Sequence, residues 1–155
     1  MKLNELLSKP AELVTENDIL GDVIFNDVPI NDIFEKIDRT KNVEDLLIVV
    51  TNHNYEALAV LTSIEARTFI RHINETIAKK KGRILELTVK DLALNKLLPL
   101  KIGKNAVKKD TKIGEVVEMF TKQKRDTLVV VGEKDKYIGK IRRGNLPKRL
   151  EILLD

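Results

Sequence analysis

Apolar residues along this 155-residue chain follow two periods, and those periods alternate in the same order twice. In "DVPINDIFEKI", Ile30, Ile33, Phe34 and Ile37 fall at i, i+3, i+4 and i+7. In "DTKIGEVVEMF", Ile113, Val116, Val117 and Phe120 repeat that spacing. Each set forms one apolar face of an amphipathic helix. Asp27 and Asp110 stand three residues before the first apolar position of their sets, which predicts side-chain N-caps. An apolar, strand-like run follows each helix, "LLIVV" at 46–50 and "TLVVV" at 127–131. Polar loops ("TNHNYE", "GEKDK") then lead to second strands, "ALAVLT" at 57–62 and "YIGKI" at 137–141.

Each hairpin hands over to another helix. In "SIEARTFIRHINETIAKKKG", Ala66, Phe69, Ile70, Ile73 and Ile77 make one stripe. Three lysines and Gly82 close it, as cations and a C′ glycine close a helix. In the second half, "NLPKRLEILLD" supplies a shorter terminal helix. Even the openings echo, "LNELLSKP" from Leu3 against "LNKLLPLK" from Leu94. A repeat of about 80 residues is too long for a solenoid unit. The expected architecture is therefore α/β (α+β): two tandem β-α-β-β-α modules packed as a pseudo-symmetric pair. Residues 1–82 form the first module, and 83–155 the linker and second module.

Composition narrows the function. The chain has no cysteine, which excludes a disulfide framework, a thiolate zinc site and a cysteine nucleophile. No apolar run approaches the ~20 residues of a membrane span, and Met1 to Pro10 does not read as a signal peptide. A cytoplasmic protein without a membrane partner is expected. Charge is divided unevenly: Met1–Ala78 has 7 Lys/Arg against 14 Asp/Glu, and Lys79–Asp155 has 21 against 10. Such asymmetry points to an anionic partner for the second half, or to halves that face each other. A nucleic acid is one such partner, through Lys79–Lys81, Arg83, Lys108–Lys109 and Arg142–Arg143.

Candidate chemistry gathers where the second strand of each hairpin meets its helix. Thr62-Ser63-Ile64-Glu65 has the form of a capping box, in which Thr62 satisfies an early N–H and Glu65 reaches back. The corresponding stretch of the second half is Arg142-Arg143-Gly144-Asn145. Asn145 suits an N-cap before Leu146 and Pro147. Arg142 has two readings, a planar fork for a phosphate or an internal cation paired with an acid of the first half. Arg143 points the opposite way on an extended strand. There is no Walker loop, Rossmann glycine fingerprint or histidine pair at metal spacing. His53, in a loop, and His72, in a helix, read as structural or solvent-facing.

These patterns resemble the tandem cystathionine-β-synthase-type (CBS) domain pair, the Bateman module. Residues 106–146, "AVKKDTKIGEVVEMFTKQKRDTLVVVGEKDKYIGKIRRGNL", follow the family profile without a gap. The family's strand ending is glycine, two apolar residues, Thr or Ser, two further residues, then Asp. It falls on Gly139 to Asn145 in the second half and on Ala59 to Glu65 in the first. The resemblance implies a regulatory or sensing module and no enzyme activity. It implies an adenosine-containing ligand (AMP, ADP, ATP or S-adenosylmethionine) in the cleft between the modules, with no required cofactor. The frame hydroxyl contacts phosphate and the closing carboxylate takes the ribose hydroxyls. Carried onto this chain, the ligand residues are Thr62, Glu65, Arg142, Arg143 and Asn145. The departures are Ala59 for Gly, Glu65 for Asp, Arg142 for Thr and Asn145 for Asp. The resemblance also implies a homodimer and an effector on another protein. Purely structural dimerisation and nucleic-acid binding are the alternatives.

Overall fold

The computed structural model describes residues 1–80 and 87–155, with 77–80 described by backbone alone. In chain order its elements are α1 (Leu3–Leu7), β1 (Val23–Phe25), α2 (Asn31–Arg39), β2 (Leu47–Thr51), β3 (Ala57–Thr62) and α3 (Ala66–Lys80). Then come α4 (Leu94–Leu97), β4 (Ala106–Lys108), α5 (Ile113–Lys122), β5 (Thr127–Val131), β6 (Tyr137–Arg142) and α6 (Leu146–Leu154). They form two compact units, one of Leu20–Leu100 and one of Met1–Ile19 with Lys101–Asp155.

Each unit holds one three-stranded mixed sheet. In the first, β1 lies parallel to β2 and β2 antiparallel to β3. A parallel neighbour needs a crossover, and the amphipathic α2 supplies it. The other unit repeats this with β4, α5, β5 and β6. The repetition extends to register: Leu47↔Thr62 and Val50↔Ala59 in one hairpin match Thr127↔Arg142 and Val130↔Gly139 in the other. Both hairpins shift register at the same place, between Val50 and Thr51 and between Val130 and Val131. The central strands β2 and β5 are buried at every residue, as expected for strands covered on both faces.

The core of each unit uses the predicted helix faces. Ile30, Ile33, Phe69 and Ile73 pack with Ile48, Val50 and Leu61, while Ile113, Val116 and Phe120 pack with Leu128, Val130 and Ile141. Ile70 departs from the predicted stripe and is 56% exposed. The side chain of Ile77, and Lys81 and Gly82, lie outside the described residues.

The aspartate N-caps do not form. α2 and α5 begin after Ile30 and Lys112 with no side-chain cap. Carbonyls of adjacent segments take the early donors instead: Ile30 N–H reaches Leu87 O at 3.1 Å and Ile113 N–H reaches Lys9 O at 2.9 Å. Asp27 is left to pair with His53, 2.6 Å away.

The two echoing openings are exchanged between the units, which therefore differ from the 1–82 and 83–155 division of the sequence. The "LNELL" helix α1 belongs with the second repeat, where Leu6, Ala11 and Val14 are fully buried. The "LNKL" helix α4 belongs with the first repeat, where Leu94 and Leu98 join the core. Gly114 of α5 lets α1 approach, since a Cβ there would stand 3.2 Å from Leu7 O. Among the described residues, no helix is long and apolar enough to cross a membrane.

Burial of α1 predicts a measurable asymmetry within that helix. Leu6→Ala should lower the unfolding free energy of its unit by about 2–5 kcal/mol, the usual range for a buried leucine truncation. Leu3→Ala, at a residue 55% exposed, should change it little. Chemical denaturation of both variants checks this, and equal effects would refute the packing of the opening segment.

Candidate functional site

The strand-to-helix junctions are built alike by the backbone and differently by their side chains. At the β3–α3 junction, Thr62 ends the strand with 5% of its surface exposed. Its backbone N–H donates to Glu65 Oε2 at 3.0 Å, and its hydroxyl donates to the same oxygen. Ile64 N–H donates to Thr62 Oγ1 at 3.3 Å. One half of the expected capping box forms, Glu65 reaching back to the Thr62 N–H, while Glu65 N–H bonds to Thr62 O and not to the hydroxyl. These bonds place a hydroxyl and a carboxylate together just ahead of the first turn of the longest helix in the chain.

At the β6–α6 junction the corresponding positions are Arg142 and Asn145, and both turn toward Glu16. Arg142 Nη2 donates to Glu16 Oε1 at 2.6 Å, and Nε lies 3.0 and 3.2 Å from the two carboxylate oxygens. Arg142 backbone N–H reaches Oε2 at 3.3 Å, and Asn145 Nδ2 reaches Oε1 at 3.3 Å. Glu16 is only 12% exposed at its side chain and Arg142 35%. Burial opposes the charge on Glu16, but the hydrogen bonds and charge of Arg142, aided by Asn145, outweigh it. The carboxyl is held below its ordinary value of 4.5. Asn145 stands at the N-cap position of α6 without a side-chain cap bond, and its Nδ2 donates to Glu16.

Glu16 is brought there by main chain. Glu16 N–H donates to Lys140 O at 2.7 Å and Lys140 N–H to Glu16 O at 3.0 Å. This places the segment flat against β6 at Gly139, where a Cβ would lie 2.3 Å from Glu16 O and 2.5 Å from Thr15 Cγ2. Only glycine permits that approach.

Arg143 takes the other face of the strand. Its Nη2 donates to Phe120 O at 2.6 Å and to Gln123 O, and its guanidinium sits 5.5 Å from the centre of the Phe120 ring. It thereby closes the carbonyl end of α5, a role suited to a cation at a helix C-terminus. The structure thus brings Arg142 and Asn145 together, joins Thr62 to Glu65 in the other unit, and commits Arg143 to a helix end. The sequence reading missed Glu16, which is 126 residues from Arg142 and carries no local signal beyond its charge. His53 stacks on Phe25 at 4.5 Å, and His72 Nε2 lies 3.0 Å from Leu92 O. Among the described residues, no group of three or more acidic or histidine side chains is placed to hold a metal.

This pair of mixed sheets, each closed by a strand-to-helix junction, is the fold of a tandem CBS domain pair. CBSX2, solved in complex with AMP, is 17% identical with a TM-score of 0.64, over 95% of this chain and 99% of that one. A CBS domain-containing protein of unknown function from Bacillus anthracis is 12% identical, TM-score 0.64, over 97% and 99%. The CBS domain of a bacterial CNNM/CorC family Mg2+ transporter, in complex with ATP, is 10% identical, TM-score 0.58, over 96% and 92%. No family model and no curated protein matches the sequence.

The depressed Glu16 carboxyl predicts a pH dependence. A group whose folded pKa lies below its unfolded one contributes stability above the unfolded value. That contribution is lost as pH falls through the folded pKa. Wild-type unfolding free energy should therefore decline below about pH 4.5, and Glu16→Gln should remove part of that slope. Denaturant titrations across the acid range measure it, and identical slopes would contradict the ion pair.

Proposed function

We propose that this chain is a non-catalytic regulatory module that binds an adenosine-containing ligand and acts on an effector carried by another protein. The observation that carries the reading is the Thr62–Glu65 pair just ahead of the first turn of α3 in a CBS-pair fold. Glu65 offers carboxylate oxygens that can accept two hydrogen bonds from a vicinal diol. The early N–H groups of α3 favour a nearby phosphate. Complexes of the same fold with AMP and ATP support the ligand class. Of the family-like ligand positions, Thr62 and Glu65 are proposed as the primary set. Arg142 and Asn145 are already engaged with Glu16, and Arg143 with α5.

The nucleic-acid alternative is weaker in the folded chain than in the sequence. The unit containing the second repeat holds 17 Lys/Arg against 12 Asp/Glu, because residues 79–100, with 6 Lys/Arg against 2 Asp/Glu, belong to the other unit and the acidic opening segment to this one. Its aromatic rings offer no stacking surface: Tyr137 is 1% exposed and Phe120 7%.

A thermal-shift and calorimetric panel of AMP, ADP, ATP, S-adenosylmethionine and a short oligonucleotide tests the reading. At a hundred times its dissociation constant a ligand stabilises by about 2.7 kcal/mol, so at least one adenosine compound should raise the melting temperature. Glu65→Ala should abolish that rise. No shift and no heat across the panel would overturn the reading, and a response to the oligonucleotide alone would favour the alternative.

The chain is also proposed to form a homodimer. Ile64 and Ile70 beside and on α3 in one unit are 47% and 56% exposed, and Ile152 on α6 in the other is 73% exposed, apolar positions in each unit that association would cover. Light scattering at micromolar concentration should give twice the monomer mass. A monomer at ordinary salt would refute it.

A further inference from the structure

We propose that the hairpin end of the first sheet carries a further binding site, a hollow of about 240 Å3 that takes a small aliphatic carboxylate. It lies wholly within the Leu20–Leu100 unit, where the ends of β1 and β2, the start of β3 and the turn before α4 meet. Asn26 follows β1, Val50 is the penultimate residue of β2, and Leu58 is the second residue of β3. Thr62 pairs with Leu47, at the start of β2, so the Thr62–Glu65 junction lies at the other end of the sheet. The hollow is therefore separate from the nucleotide reading.

Its walls and its mouth differ in chemistry. Val50, Val89 and Leu94 line it while each is 3% exposed or less, so the apolar part is enclosed. Lys90 and Asn95 line it from exposed positions, and Asn26 from a half-buried one. Among the described residues, no side-chain hydrogen bond or ion pair engages these three. Lys90 alone is charged among the described residues of the lining, so the hollow selects an anion over an amine. Its ammonium and the two carboxamides can donate to a carboxylate, while an aliphatic tail meets the apolar walls. At ~30 Å3 per water the volume equals about eight waters, room for a tail of a few methylenes.

A strained corner completes the wall. Ala93 has φ 51° and ψ 44°, the left-handed region that a residue with a Cβ enters at a cost. It turns the chain into α4, which contributes Leu94 and Asn95 to the lining. The repeat itself does not demand this corner. The other unit anchors its matching turn by the same kind of bond, Glu12 N–H to Lys109 O at 3.0 Å against Lys90 N–H to Asn26 O at 2.7 Å here. There Thr15 leaves the turn at φ −79°. Strain kept where the fold offers a relaxed alternative points to function. The matching hollow of that unit is lined by Glu12 and Glu133 as well as Lys109 and Lys136, so the preference for a carboxylate belongs to the first unit.

The test titrates sodium acetate, butyrate and hexanoate into the full chain and follows backbone amide shifts by NMR. Hexanoate should perturb residues 26 and 90–95 saturably, and affinity should rise about four-fold for each methylene the walls cover. Hexylamine, with the same tail and the opposite charge, should leave these amides unmoved. Lys90→Gln should weaken hexanoate about ten-fold or more, the weight of a charge-assisted contact, with the melting temperature unchanged. Lys136→Gln, in the other unit, should bind as wild type does, which separates the site from general attraction to a basic chain. None of these probes carries adenosine, so the outcome is independent of nucleotide binding. No saturable shift at residues 26 and 90–95, affinity that is flat with chain length, binding of hexylamine, or equal losses in the two lysine variants would overturn the proposal.

Discussion

The third strand of each sheet has an outer edge that its own repeat does not cover, and closing that edge organises both units. An open strand edge is a template for unwanted pairing. Here it is met by main chain from the opening of the other repeat, Leu98 against Val60 and Glu16 against Lys140. The exchange carries apolar side chains with it, so Leu94 and Leu98 complete one core and Leu6, Ala11 and Val14 the other. It also supplies the carbonyls that receive the first donors of α2 and α5, which is why those helices need no side-chain caps. The close approach at β6 then dictates Gly139. At the matching position of β3, Ala59 lies opposite Pro99.

One backbone plan thus presents two junctions with different chemistry. Thr62 and Glu65 meet within four residues of chain, both Thr62 donors reaching Glu65 Oε2. Arg142 replaces the hydroxyl with a long cation, and a partly buried cation without an acid is costly. The acid comes with the exchanged segment. Glu16 and Arg142 are consequently parts of one feature, although they are 126 positions apart.

The sequence made the repeat, the hairpins and most of the core legible, because each rests on local periodicity. Ile33 and Ile113 could be placed by spacing alone, and both are fully buried. What stayed hidden was long-range. The Asp27 and Asp110 caps looked sound locally, but carbonyls of Leu87 and Lys9 answered the same donors first. Both junction motifs could be located, and the contact of Glu65 with the Thr62 N–H followed from their four-residue pattern, although the Thr62 hydroxyl accepts from Ile64 and not from Glu65. The partner of Arg142 could be anticipated only as some acid of the first half, since nothing local distinguishes Glu16 from Glu12. Arg143 was placed correctly on the opposite strand face, while its engagement with the end of α5 depends on how the sheet packs against that helix.

The uneven charge of the two halves acquires a structural meaning once the exchange is known. Glu5, Glu12, Glu16 and Asp18 belong to the acidic half of the sequence but to the basic unit of the fold. Their transfer, with the passage of the basic residues 79–100 to the other unit, leaves 17 cations against 12 anions in that unit and 11 against 12 in the other. Part of the asymmetry is therefore internal neutralisation, and the hydrogen-bonded Glu16–Arg142 pair is one partly buried instance. A diffuse basic surface would attract polyanions of any shape. The pairing of Arg142 with Glu16 removes one cation of that unit from such a field.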